Sequence, residues 1–142
     1  MKPICAAVFS LVIMSSPALA GAPEGVWLSA DGGTKVHLAN CGGNKLCGTV
    51  VWLEKPIDAS TGKPKTDTLN PDPAKRSRPL LGLQVVHGLT SNGPNTWSGQ
   101  IYNADDGKTY QAHVMVVSHS AMKVEGCVLA VLCKGQTWTR SN

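Results

Sequence analysis

The sequence predicts a small all-β domain of antiparallel strands, stapled by two disulfides and preceded by a cleaved leader. Three observations carry that reading. Apolar residues recur at every second position in short runs. Turn signals rich in Gly, Asn and Asp separate the runs. Four cysteines fall in two equally spaced pairs in the part of the chain beyond the leader.

The leader spans residues 1–20. Lys2 supplies a positive start, and residues 4–14 form an apolar run too short to cross a bilayer as a helix. Pro17 breaks the run, and Ala18-Leu19-Ala20 gives the small-x-small pattern that a signal peptidase reads. Cys5 lacks the small residues expected before a lipidated cysteine. Cleavage after Ala20 leaves a single domain, residues 21–142, working in the periplasm or outside the cell. Its 122 residues suit one modest core. Loss of Lys2 lowers the formal charge from +4 to +3, and the basic residues are scattered without a stripe. Nucleic acid is therefore not an expected partner. No second apolar run is long enough to span a membrane, so an integral membrane protein is not expected either.

Eight strands are expected, at residues 25–29, 35–39, 46–53, 83–89, 96–103, 108–116, 122–127 and 135–140. The sixth is the clearest: Tyr110, Ala112, Val114 and Val116 share one face, and Thr109, Gln111 and His113 the other. A period of two with one apolar face means a strand with one face buried. Asp31-Gly32-Gly33 separates the first two strands, and Ala104-Asp105-Asp106-Gly107 the fifth and sixth. The second stretch is a hairpin turn rather than a calcium loop. With Gly107 at the sixth loop position, Tyr102 and Ala104 would fall where oxygen ligands belong.

Cys41, Cys47, Cys127 and Cys133 remain after the leader. An even number in an exported small domain reads as disulfides, because the compartment is oxidising. Zinc ligands are usually spaced more tightly, and no histidine flanks either pair, so no metal or other cofactor is expected. Cys41-x4-Leu46-Cys47-x4-Trp52 repeats the spacing of Cys127-x4-Leu132-Cys133-x4-Trp138. The echo favours Cys41–Cys47 and Cys127–Cys133, each closing a bend that feeds a strand carrying a tryptophan.

One segment breaks the rhythm. Residues 54–79 hold five prolines and no strand pattern, which suggests a long lid or binding loop. A short helical turn is expected inside it, with Asn70 as N-cap, Pro71 in the first helical position and Asp72 paired with Arg76.

Gly25-Val26-Trp27, Leu46-Cys47-Gly48, Val50-Val51-Trp52, Asn70-Pro71-Asp72-Pro73 and Arg76-Ser77-Arg78-Pro79-Leu80 form one set of local patterns. Trp97-Ser98-Gly99, Ile101-Tyr102-Asn103, Asp106-Gly107-Lys108-Thr109-Tyr110, Gly126-Cys127 and Gln136-Thr137-Trp138-Thr139-Arg140 continue it. Together they resemble DUF2147, a bacterial family of exported proteins with a domain of unknown function. The resemblance implies a lipocalin-like barrel. It implies no established activity and brings no catalytic residues. Gly25-x-Trp27 in the first strand and Arg140 in the last fit such a barrel on their own terms. A first-strand tryptophan would plug the closed end, and a guanidinium stacks well on an indole face. The length is nearer to avidin-like barrels, which share the eight-strand plan. The expected fold is thus a single up-and-down antiparallel barrel with a long loop after the third strand.

The candidate ligand-binding residues are Trp52, Trp97, Tyr110 and Arg78. Inward aromatics of an eight-stranded barrel either fill it or grip a flat or apolar ligand. Arg78 could meet an anionic headgroup at the mouth. Trp27, Arg140, Asn70, Asp72 and Arg76 are assigned structural roles. Histidines 37, 87, 113 and 119 sit in no nucleophile or metal-binding pattern, so no catalytic residue is expected. The function expected is the holding of a small apolar or amphipathic molecule. The alternative is an envelope protein–protein interaction module with a filled core. It would use the long loop and the apolar bend at residues 128–132.

Overall fold

The computed structural model describes residues 3, 10–13, 21–129 and 131–141. The leader boundary at Ala20 lies outside the described residues. Eight strands close into one barrel with every neighbour antiparallel and consecutive. They are β1 (Gly25–Leu28), β2 (Thr34–Gly42), β3 (Lys45–Leu53), β4 (Gln84–Gly93), β5 (Thr96–Asn103), β6 (Lys108–Ser118), β7 (Ala121–Val128) and β8 (Leu132–Ser141). The ring closes where β1 meets β8, with Trp27 opposite Arg140. Closure leaves no free sheet edge, the usual liability of an open sheet.

The strands fall where the period-two pattern puts them, with longer ends on β2, β4, β6, β7 and β8. β8 starts as early as Leu132 because Cys127 and Cys133 are direct register partners across a tight hairpin. Both expected disulfides are present: Cys41–Cys47 with Cα atoms 5.6 Å apart, and Cys127–Cys133 with Cα atoms 4.0 Å apart. The first staples the β2–β3 hairpin at one end of the barrel. The second staples β7–β8 at the other end.

Connectivity gives the two ends different characters. At the first end, Trp27 is completely buried and its Nε1 donates to the Pro23 carbonyl at 2.8 Å. The Arg140 guanidinium lies 4.3 Å from the Trp27 ring centre. It also donates to the carbonyls of His119, Glu24 and Ala22 at 2.6, 2.7 and 3.2 Å. Gly25 is required beside this clasp. Its φ is +123°, and a Cβ there would sit 2.5 Å from Arg140 Nη1. Leu38, Leu46, Leu89, Val114, Val116 and Met122 fill the barrel behind the plug.

At the other end lies the long connection between β3 and β4. It is a folded strap rather than a structureless lid. Asp58 N donates to Lys63 O, Lys65 N to Pro56 O, Asp67 N to Arg78 O and Leu80 N to Lys65 O, all at 2.8–3.0 Å. A 3-10 turn does occur, at Pro73–Lys75, two residues beyond the expected place. Its cap is Asp72, which accepts from Ala74 N at 3.0 Å, and Pro73 takes the first helical position. Asn70 instead ties the chain just before the turn. Its Oδ1 accepts from Asp72 N at 2.9 Å and its Nδ2 donates to Asp67 at 2.8 Å. Arg76 does not pair with Asp72. Its Nε donates to the Asn70 carbonyl at 2.7 Å. The capping logic holds and the register does not, because Asx-Pro occurs twice in a row here.

Candidate functional site

The half of the barrel away from the Trp27 plug encloses a cavity of about 580 Å³ that opens at the strap end. The division between filled and open halves can be read strand by strand. On β2, Val36 lines the cavity while Leu38 is packed core; on β7, Val124 lines it while Met122 is core. Val50, Val85 and Ile101 complete an apolar wall. The rim is polar, formed by Asp31, Glu54, Lys55, Lys65, Asp105 and Asp106.

One strand departs from the apolar wall. Lys134, Gln136 and Trp138 of β8 all border the cavity. They stand opposite Gly126, Val124 and Met122 of β7. Val124 and Met122 are buried core residues, so this phase of β8 faces inward. Gly126 keeps the wall open there. A Cβ on it would meet the inward Tyr110 at 3.5 Å and Ile101 at 3.9 Å. Trp138 is only 6 % exposed, and its Nε1 is the buried side-chain polar atom among the described residues without a hydrogen-bond partner.

The aromatic candidates divide three ways. Tyr110 lines the cavity, and its hydroxyl donates to the Asp106 carboxylate at the rim. Trp97 opposes the core residue Val114 and packs against the filled half without lining the cavity. Trp52 is on the outside. It is 39 % exposed and stands opposite Lys35, whose ammonium lies 5.0 Å from the ring centre. The cause is a β-bulge: Val36 pairs with Val50 and Lys35 with Trp52, so Val51 is the extra residue and the alternation changes phase.

Arg78 does not reach the cavity. It forms an ion pair with Asp67 at 3.1 Å. Asp67 is fully buried, and it also accepts from Tyr102 Oη at 2.5 Å and from Asn70 Nδ2. Tyr102 opposes the exposed Thr109 and so stands on the outer wall of β5, where the strap covers it. The strap also meets the β5–β6 turn, where a Cβ on Gly107 would run into the Leu69 carbonyl. Burial alone would raise the Asp67 carboxyl, but the bonds from Tyr102, Asn70 and Arg78 outweigh it and hold it below its ordinary value. Burial and then the same Asp67 bond push the Tyr102 hydroxyl up to about 12. Sequence reasoning misses Asp67 altogether. A lone Asp in a Pro-rich loop carries no periodic signal.

A second, smaller groove of about 430 Å³ lies between strap and wall, where Arg78, Lys75, Gln84 and His87 meet. Gln84 Nε2 and His87 Nδ1 are 3.0 Å apart, and burial, then the charge of Arg78, lowers the His87 value. Among the described residues, the ligand-rich cluster Glu125, Cys127 and Cys133 has its two sulfurs bonded to each other, so it is a disulfide site.

The model of DUF2147, described as an uncharacterized protein conserved in bacteria, matches residues 25–140. The chain belongs to the DUF2147 family. The match runs from Gly25 to Arg140, the two residues that meet in the clasp at the plugged end. No functionally curated protein shows a significant match. Among solved structures, the chain is similar to HP1028 from the human pathogen Helicobacter pylori, described as belonging to the lipocalin family. The two are 24 % identical over 84 % of this chain and 82 % of that one, with a TM-score of 0.69. That likeness gives this DUF2147 member the lipocalin fold. In the described residues no helix is long and apolar enough to cross a membrane.

Proposed function

We propose that this protein holds a small, largely apolar molecule in the open half of its barrel, outside the cytoplasm. The observation that carries the reading is the cavity itself. Its volume of about 580 Å³ falls within the range of small-molecule sites, and its aliphatic inner wall is matched by a polar rim and by the polar side chains of β8, a lining suited to an apolar or amphipathic molecule. The plugged half supports the same reading. A barrel closed by Trp27 and Arg140 at one end and open at the other admits a ligand from one side only. The leader pattern and the two disulfides support a place in an oxidising compartment.

The interaction-module reading draws on one feature, the β7–β8 tip, where Leu129 and Val131 are each 81 % exposed. It also needs a filled barrel, and the cavity weighs against that. Native mass spectrometry of protein purified from its own cell envelope tests the proposal. A discrete added mass that is lost on denaturation is expected. Apparent apo mass, together with no saturable change in tryptophan fluorescence on titration with fatty-acyl and flat aromatic probes, would overturn it.

A further inference from the structure

Closure of the ring removes every whole edge strand but leaves part of one strand unpaired on one side, because the last seam is short. β1 pairs with β8 at three positions only: Val26 with Ser141, Trp27 with Arg140 and Leu28 with Thr139. Beyond Leu28 the chain turns back into β2, with Ser29 N donating to Thr34 O at 2.9 Å. From Thr139 back to Leu132, toward the mouth, β8 keeps β7 as its neighbour and has none on the other side among the described residues. Residues 132–137 are all exposed, the inward-facing Lys134 and Gln136 included, as expected of a wall that stops there. Two observations show which backbone groups face the open side. Arg140 N donates to Ser120 O on the β7 side at 2.8 Å, and the Cα atoms of Cys127 and Cys133 are 4.0 Å apart, the close spacing of a non-hydrogen-bonded pair. Even-numbered residues of β8 therefore bond to β7. The N–H and C=O groups of Cys133, Gly135 and Thr137 point away from it, and none has a hydrogen-bond partner among the described residues.

We propose that this open stretch is the interface of a two-fold symmetric dimer, in which β8 pairs antiparallel with β8 of a second copy across Gly135. Gly135 then lies opposite the partner's Gly135, Cys133 opposite the partner's Thr137, and Thr137 opposite the partner's Cys133. Every free N–H meets a free C=O. The sequence is self-complementary in this register. Lys134, the one charge on the stretch, stands opposite the partner's Gln136, whose amide oxygen can accept from the ammonium. One step toward the tip would set Lys134 against the partner's Lys134, and like charges directly opposite are unfavourable. Gly135, at the axis, suits the close approach of two backbones. The side chains flanking the free groups are small and uncharged, and the ladder with β7 is regular, so neither outward charge, proline nor bulge blunts this edge. The same register carries the exposed apolar tip, Leu129 and Val131, up to the wall of the second copy, which gives those side chains cover.

The test follows the protein, with both disulfides intact, over a concentration series reaching about 1 mM, where even a small interface associates. Sedimentation velocity should show the mass rise about twofold. Amide hydrogen exchange by NMR should slow about tenfold at Cys133, Gly135 and Thr137 in step with that rise, while the amides of Lys134 and Gln136, already bonded to β7, stay as they are. Gly135→Pro removes an N–H that has no partner within the chain, at an edge position where proline is tolerated, and should hold the protein at the mass of one copy throughout. A single-copy mass for the wild type at every concentration would overturn the proposal. So would a dimer whose Gly135 and Thr137 amides still exchange freely, or one that Gly135→Pro forms as readily as the wild type, because each would place the contact on another face. The exchange pattern of the wild type decides the matter even if Gly135→Pro fails to fold.

Discussion

The segments 41–52 and 127–138 share the spacing Cys-x4-Leu-Cys-x4-Trp, and each is a stapled hairpin feeding a strand. Their tryptophans nevertheless finish on opposite sides of the wall. Along β8 the register with β7 is unbroken from Leu132 to Thr139, so Leu132, Lys134, Gln136 and Trp138 share one phase and Trp138 enters the barrel. Along β3 the phase set by Leu46, Gly48 and Val50 is interrupted at Val51, and Trp52 comes out beside Lys35. One inserted residue converts a lining aromatic into a surface one. Equal spacing in a β-protein fixes equal facing only where the ladder between is regular.

The largest expected difference between the two segments is therefore in stability. Trp138→Ala removes a ring from the junction of core and cavity and should cost about 3 kcal/mol. Trp52→Ala loses partly exposed surface and one cation–π contact and should cost about 1 kcal/mol or less. Urea unfolding of both variants measures this, and equal midpoints would break the comparison.

The next effect concerns the chain beyond each tryptophan. β8 ends at the clasp, whereas β3 runs into the strap, which is fastened through Asp67. Asp67→Ala leaves the Tyr102 hydroxyl and the Asn70 amide unmatched and should cost about 2 kcal/mol. Limited proteolysis should then cut within residues 54–79 faster than in the wild type. The same anchor sets two pH limits. The Asp67 carboxyl is held below its ordinary value, so its contribution is complete above about pH 4 and is lost as pH falls through the lower folded value. Tyr102 is raised to about 12, so its contribution is complete below about pH 10 and is lost as pH climbs from there through 12. Tyr102→Phe should flatten the alkaline limb of a stability–pH curve; an unchanged limb would show that another group controls it.

Of the same size is the effect of the staples. Both disulfides close loops of the same length, so Cys41→Ser/Cys47→Ser and Cys127→Ser/Cys133→Ser should each cost about 2 kcal/mol, as seen in thermal melts. Only the second pair stands at the mouth, so only its loss should change the rate at which a dye enters the cavity. The smallest effect is Lys35→Ala, which should cost about 0.5 kcal/mol and alter the emission of the exposed Trp52 without touching probe affinity.

Much of the architecture is legible in the sequence because alternation is local. Tyr110 to Val116 names its own inward face, and Gly25, Trp27 and Arg140 announce the plug before β1 and β8 are seen to meet. The disulfide pairing is readable from the repeated spacing. The bulge at Val51 is not, since no Gly or Pro marks it and Val-Val-Trp-Leu reads as an ordinary strand. That is why Trp52 stands among the candidate ligand residues yet lies outside the barrel. Arg78 does meet a carboxylate, but the carboxylate is the chain's own Asp67, eleven residues back and buried only in the fold. Lys134 and Gln136 draw no attention because polar side chains look like an outer face until β7 shows which phase is inward.

The pairing of β1 with β8 has a consequence for the order of events during synthesis. Trp27 cannot be sealed until Arg140 has emerged, and the carbonyls of Ala22 and Glu24 wait for the same guanidinium. Every other strand pair is formed by neighbours in sequence, so closure of the ring is the one step that joins the first strand to the last, and it is the slowest kind of contact to form. Until Arg140 has left the ribosome the seam between β1 and β8 stays open, so the barrel is a curled but unclosed sheet whose final edge-to-edge contact converts it into a ring.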